Sequence, residues 1–538
     1  MSEFDKLLKR LAWNYLHQSV GSDLPVLLVG PPGVGKSTLT IEAFNLLILA
    51  LTTLSSSKYL NRFSKRCKQD PTCNELSREL KRELENTRDN NPIAIKIREL
   101  NLHLEEIVAH VKLLNSDDDN LFLVYDESLS LKNYKNSFTV VYLPLHTMEP
   151  TDLMGIPVKS DDHMSYVPPK WLKALNMSAF GLLVLDEFTN VTDPNIQSAL
   201  FSLLLEKRVG MSKLRQPVVA TGNPAKYSPI ATNLPTPLIV GRMRIFEVGP
   251  PTVIEWTEYM ERKYKDSWFK PLAPLLNFYN LGSPDTMSNV FMDLERAERV
   301  TEIDFDSKSE MGRPYPTPRA WEFVARSIRA LSDVLLSSST SQKSRQVEEI
   351  RALVLSYVQI DEKFIDDLVY VIQHEELKSV LEKIVDIIVK TDEKCYPGRD
   401  YLEYISNRIR DWVNSLRREN EQYHMVLKVL GVIFLFITSY MFERADMLNT
   451  SRLERVFKED PKAANLRNVL CEMIKYFKTL GEEGAVSKSE EEVKTLEMVV
   501  RDAILHSFER RGIIASKSFE RLEDIEKLLC ERRGDPQR

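Results

Sequence analysis

Gly30-Pro31-Pro32-Gly33-Val34-Gly35-Lys36-Ser37-Thr38 is the stretch on which the reading of this chain turns. An apolar run, Val26-Leu27-Leu28-Val29, precedes it and reads as a buried parallel strand. Leu39-Thr40-Ile41-Glu42-Ala43-Phe44 follows and reads as a helix. A glycine-rich loop between strand and helix, closing in Gly-Lys-Ser, is the pattern of a phosphate cradle. Glycines let successive backbone N–H groups turn inward toward phosphate oxygens, and the helix N-terminus adds partial positive charge. In such a cradle Lys36 reaches the β- and γ-phosphates and the Ser37 hydroxyl ligates Mg²⁺. The expected ligand is therefore a nucleoside triphosphate with Mg²⁺.

Outward from this loop, residues 1–250 alternate apolar strands with helical stretches. The further strands are expected at Thr139–Leu143, Leu182–Leu185, Val218–Thr221 and Ile245–Val248. Alternation of this kind predicts a parallel sheet with helices on its faces, an α/β P-loop core. From residue 251 the chain reads as helix after helix, for example Ile350, Leu353, Val354, Tyr357 and Val358 at three- and four-residue spacing. We expect a helical lid at 251–345 and an all-α C-terminal region at 346–538. Ser337-Ser338-Ser339-Thr340-Ser341 reads as a joint. Residues 51–137 are too many for a connection between neighbouring strands. They read as a helical insertion, expected to project as a hairpin that could be removed without disturbing the core. Lys58–Arg98 carries eleven basic and six acidic residues, a local excess of five. His103 and His110 lack a third ligand, so surface or packing roles are expected.

Phe180-Gly181-Leu182-Leu183-Val184-Leu185-Asp186-Glu187 is a buried strand ending in two acids. Strand C-termini deliver side chains to the crevice where a nucleotide sits. Asp186 suits the metal, and Glu187 suits polarisation of the attacking water. Ala220-Thr221-Gly222-Asn223-Pro224 follows the strand at Val218. An amide at that tip can hydrogen-bond the γ-phosphate or the water, so Asn223 reads as a sensor of nucleotide state.

With these residues in place the chain resembles an AAA+ ATPase, and several further segments resemble the MoxR type. They are Glu149–Pro157, Val167–Leu172, Asp186–Asn190, Leu203–Gly210 and Ala220–Pro224. The likeness covers about residues 20–40 and 138–330. It implies the helix-2-insert branch of AAA+, a hexameric ring, and ATP-driven remodelling of protein partners, which often carry a von Willebrand factor A domain. It also implies two arginines. Arg242, in Gly241-Arg242-Met243, stands where the branch places a finger that reaches a neighbour's ATP, with Arg244 as the alternative. A guanidinium beside a γ-phosphate stabilises transition-state charge. Arg319, in Tyr315–Trp321, resembles the second sensor at the opening of a lid helix.

Composition narrows the classes. The formal charge of −6, from 72 basic and 78 acidic residues, gives no global attraction to nucleic acid. A nucleic-acid motor is the alternative to a protein remodeller, and the basic excess at 58–98 is the feature in its favour. Five scattered cysteines are expected as reduced thiols in a cytoplasmic protein. The N-terminal residues lack signal-peptide character. Val429–Phe442 carries no charge but is short for a membrane span, so a buried core helix is expected there.

Overall fold

The structure is a computed structural model. It describes residues 3–86, 91–115, 120–160, 163–228, 241–281, 290–294, 297, 315–335, 340–358 and 360–389, together with 432, 433, 436, 437, 440 and 471. Two compact units divide the chain, the first built on residues up to 250 and the second on residues from 251.

The first unit opens with helix α1 (Glu3–Ser19), followed by β1 (Val26–Val29) and α2 (Lys36–Thr52). Four more helices come next: α3 (Asn61–Gln69), α4 (Pro71–Asn86), α5 (Pro92–Leu102) and α6 (Leu104–Leu114). Strands β2 (Leu123–Val124) and β3 (Phe138–Pro144) lead to α7 (Pro150–Met154), a hairpin of β4 (Ile156–Ser160) and β5 (His163–Val167), and α8 (Lys170–Met177). Then come β6 (Phe180–Asp186), α9 (Pro194–Glu206), the two-residue strands β7 (Arg208–Val209) and β8 (Ser212–Lys213), β9 (Val218–Gly222) and β10 (Arg244–Glu247).

Six strands form one sheet in the order β10-β1-β9-β6-β3-β2, and every neighbouring pair is parallel. β1, β6 and β9 are built mostly from Val, Leu and Ala because helices cover both faces. The order has one consequence for chemistry. β9 lies between β1 and β6, so the C-terminal ends of the loop strand, the amide strand and the acid strand stand side by side. All five strands expected from sequence are present; β2 was not anticipated.

The insertion is helical, as expected, but it is no projecting hairpin. α3 and α4 pack on α2, and α4 packs on α1. Leu60, Phe63, Cys67, Cys73, Leu76, Leu80, Ala94 and Ile97 are all buried. Lys9 of α1 pairs with Glu75 and Glu79 of α4 at 2.8 and 2.9 Å, and the Trp13 indole N–H donates to Glu79. The physical reason lies in α2: Leu46 through Leu51 are six consecutive buried apolar residues. A helix apolar all round must be covered all round, so the sheet takes one side and the insertion the other. Excising residues 55–135 would uncover that helix and remove β2. Cys67 and Cys73 form a disulfide that joins the end of α3 to the start of α4, correcting the expectation of reduced thiols at these positions. The two helices meet at a tight corner around Asp70, whose carboxylate accepts from the N–H groups of Thr72 and Cys73, and the six-residue spacing brings the sulfurs together there.

In the second unit, α10 (Val253–Tyr264), α11 (Leu272–Leu281), α12 (Pro318–Leu335), α13 (Thr340–Tyr357), α14 (Glu362–Gln373) and α15 (Glu375–Val389) surround one hydrophobic cluster. α10 begins with a capping box in which Thr252 and Glu255 bond each other's backbone N–H groups. The cluster runs from Val253 to Tyr440, so helices on either side of the anticipated boundary at 345/346 share one core. Val432, Ile433, Phe436, Ile437 and Tyr440 are helical and buried in it, as a charge-free core helix requires. No helix among the described residues is long and apolar enough to cross a membrane. Of the joint expected at Ser337–Ser341, Thr340 and Ser341 instead open α13, since their backbone continues as helix; residues 337–339 and the C-terminal region beyond 389, those few residues excepted, lie outside the described residues.

Candidate nucleotide site

The loop between β1 and α2 is shaped by its glycines. A Cβ on Gly30 would stand 2.2 Å from the Val248 carbonyl oxygen, so only glycine lets the strand end run so close to its neighbour. Gly35 has φ +90° and forms the N-cap of α2; no side chain caps that helix end. A helix N-terminus without a capping side chain leaves its first-turn N–H groups and its dipole for an anion.

Lys36 is the first residue of α2 and is 9% exposed. Its Nζ donates to the carbonyl oxygens of Gly30 at 2.9 Å and Pro31 at 2.7 Å, and to Asn223 Oδ1 at 2.8 Å. The ammonium thus lies within the loop's curl and touches the tip of β9. Burial pushes its pKa down to about 8, against the opposing pull of Asp186 and Glu187. This cation is unusually costly in the free protein, and an anion in the loop would relieve that cost.

Asp186 ends β6 and is held from three directions. Its Oδ1 accepts from Ser37 at 3.0 Å and from Thr221, and its Oδ2 accepts from Tyr142. One carboxylate therefore links β6 to α2, β9 and β3. Burial first, and then the Asp186 carboxylate, raise the Tyr142 pKa well above the ordinary phenol value. Glu187 follows with φ +54°, a left-handed conformation rare for a residue with a side chain. Its Oε2 lies 2.8 Å from His146 Nδ1 and 3.4 Å from the Asn190 amide nitrogen. Asn223 is fixed through its backbone N–H, which donates to Thr189 Oγ1 at 2.9 Å.

The fold therefore brings together Lys36, Ser37, Asp186, Glu187 and Asn223, all named from sequence. The residues fit a nucleotide with Mg²⁺: the loop offers an uncapped helix end and a buried cation, and Ser37 with Asp186 offers hard oxygen donors of the type Mg²⁺ takes. Tyr142, His146, Thr189 and Thr221 were not named as site residues. Each sits at or just beyond the C-terminal end of a strand, or on the turn after Glu187, a placement visible only once the strand order is known.

Within the first unit, Arg242 and Arg244 stand away from this loop. Arg242 precedes β10 and lies over the Phe201 ring, 5.5 Å from its centroid. β10 pairs in parallel with β1, Arg244 opposite Val26. Arg242 is thus beyond the N-terminal edge of the sheet, whereas the loop follows the C-terminal end of β1. Arg244 is engaged with Asp23 at 2.7 Å. Arg319 is an exposed residue in the first turn of α12, in the second unit. His103 and His110 form no joint site: His103 stands beside Glu106 at 3.6 Å, and His110 Nε2 lies 2.8 Å from the Asn133 carbonyl oxygen. Comparison of the chain with protein-family models, with curated proteins and with solved structures gave no match.

Proposed function

We propose that this chain is a Mg²⁺-dependent ATPase of the MoxR type within AAA+, which works as an oligomeric, hexameric ring to remodel a protein partner. The observation that carries this is the convergence of Lys36, Ser37, Asp186, Glu187 and Asn223 at one edge of the parallel sheet, around an uncapped helix end. Two further features support it. The β4–β5 hairpin lies between α7 and α8, which is what a helix-2 insert describes. Arg242 stands across the sheet from its own loop, separated by a four-residue strand of roughly 13 Å, a placement suited to a neighbouring subunit's site.

In this reading the bound Mg²⁺–ATP supplies a polarised phosphoanhydride. Lys36 holds positive charge against the phosphates. Ser37 Oγ and an Asp186 oxygen would hold the metal, and the hydroxyls of Thr221 and Tyr142 keep that carboxylate aimed. Glu187 takes the proton of the attacking water at its carboxylate, with His146 fixing one of its oxygens. Asn223 spans Lys36 and the β9 tip, so a shift at either is felt at the other.

Two variants test the reading. Lys36→Ala should lose nucleotide binding, because it removes the buried cation. Glu187→Gln should keep ATP bound while hydrolysis falls by about 10²–10⁴-fold, the usual worth of a general base. Equal ATP affinity in wild type and Lys36→Ala would remove the phosphate-cradle claim.

A further inference from the structure

The exposed face at α3 and the turn before it carries basic residues with no acid among them. From Ala43 to Gln69 there is no acidic residue, and Lys58, Arg62, Lys65, Arg66 and Lys68 fall within eleven positions of one another. Lys58, Arg62, Lys65 and Lys68 are exposed, while Phe63, Ser64 and Cys67 on the opposite face are buried. Several charges elsewhere on the insertion pair off: Lys81 with Glu85, Lys96 with Glu99, and Glu75 and Glu79 with Lys9 of α1. Lys58, just before α3, and Arg62, Lys65 and Lys68 on it take part in no such ion pair among the described residues. They are also held on a fixed support. Leu60 and Phe63 anchor the helix, the Cys67–Cys73 disulfide ties its end to α4, and the Arg62 guanidinium lies 4.5 Å from the Phe63 ring centroid.

The chemistry of the face distinguishes between polyanions. Its exposed residues are Lys58, Tyr59, Asn61, Arg62, Lys65, Lys68 and Gln69. These are the side-chain types that bond phosphate oxygens. An interface for an acidic protein would carry an apolar anchor at its centre, and the α3 face has none beyond the edge of Tyr59. We infer that α3 is a docking surface for the phosphate backbone of a nucleic acid, sequence-independent, separate from the nucleotide site. The net charge of −6 gives the chain as a whole no attraction to nucleic acid, so such binding depends on a local basic face. A nucleic acid held here lies on the outside of the insertion, as a tether, and nothing in the inference requires ATP turnover.

The test is fluorescence anisotropy of the full chain with a labelled 20-base-pair duplex of arbitrary sequence, titrated from 50 to 300 mM salt. Four phosphate contacts give a slope of log K against log[salt] near −3.6, at about −0.9 per contact. Lys58→Gln, Lys65→Gln and Lys68→Gln together should flatten the slope by roughly 2.7 and weaken binding about a hundredfold at 0.15 M salt. All three side chains are exposed, so circular dichroism of the triple variant should match wild type. Lys36→Ala should bind the duplex like wild type, which separates failure of this inference from failure of the ATPase reading. No salt-dependent binding by wild type, or an unchanged slope in the folded triple variant, overturns it. So does equal binding of a poly-glutamate peptide of matched charge, which would show an acidic-protein surface instead.

Discussion

Raising the pH through 8 should weaken nucleotide binding steeply, and the reason is the buried Lys36. In the free protein burial lowers its pKa from 10.5 to about 8. A polyphosphate in the loop needs the ammonium form, so above pH 8 each binding event must also take up a proton. Affinity then falls about tenfold per pH unit, or about 1.4 kcal/mol; at pH 9.5 it should be roughly thirtyfold weaker than at pH 7. Isothermal titration in two buffers of different ionisation enthalpy measures both quantities. Proton uptake should be about half at pH 8 and approach one at pH 9.5. Glu187→Gln removes a carboxylate that raises this pKa, so its affinity should break at a lower pH than wild type. Stability moves in the opposite direction. The folded pKa lies below the unfolded one, so between about 8 and 10.5 the unfolded chain binds the extra proton and the nucleotide-free fold gains stability as pH rises. Below 8 both states are protonated and the slope vanishes. The melting temperature of wild type relative to Lys36→Met should therefore climb across that window. A dissociation constant that stays flat from pH 7 to 9.5, without proton uptake, would refute this account of Lys36.

Three shorter expectations accompany it. Gly30→Ala forces a Cβ against the Val248 carbonyl and should cost about 2 kcal/mol or more in chemical denaturation, with loss of nucleotide binding. His146→Ala frees Glu187 Oε2; kcat should change by about tenfold while nucleotide affinity holds, and an equal change in KM would count against a role at the acid alone. Mixing Arg242→Ala subunits with Lys36→Ala subunits should recover some ATPase activity where an intact loop meets an intact arginine. No recovery in assemblies shown by mass measurement to mix would remove the idea of a finger acting in trans.

The strand, glycine loop and helix around Gly30–Thr38 could be read in sequence because their signals are local. Gly30 to Gly35 form the loop and Lys36 to Thr38 the first turn of α2, so the glycines, lysine and serine share the same few ångströms. Asp186, Glu187 and Asn223 were legible for a related reason: each ends an apolar run, and strand ends in a parallel sheet share an edge. Tyr142, His146 and Thr189 escaped notice because their partners are 44, 41 and 34 positions away, respectively Asp186, Glu187 and Asn223, and contact depends on strand order. The insertion was misjudged on length alone. Its cover of α2 was written in Leu46–Leu51, where no polar position marks a solvent side. The Cys67–Cys73 bridge depends on the corner between two helices, which spacing does not reveal.

That same all-apolar helix, gripped on both sides, behaves as a stiff rod. α2 is 17 residues long, roughly 25 Å at 1.5 Å per residue. One end carries Lys36 and Ser37; just past the other, the Thr53 hydroxyl meets Ser77 of α4. A tilt of about 5° about the loop end, with this rise per residue, carries the far end roughly 2 Å. Because close-packed apolar contacts do not stretch to absorb such a shift, α4 and the disulfide-linked α3 travel with it. α2 is thus one continuous, close-packed element running from the Gly30–Gly35 loop to the helices of the insertion.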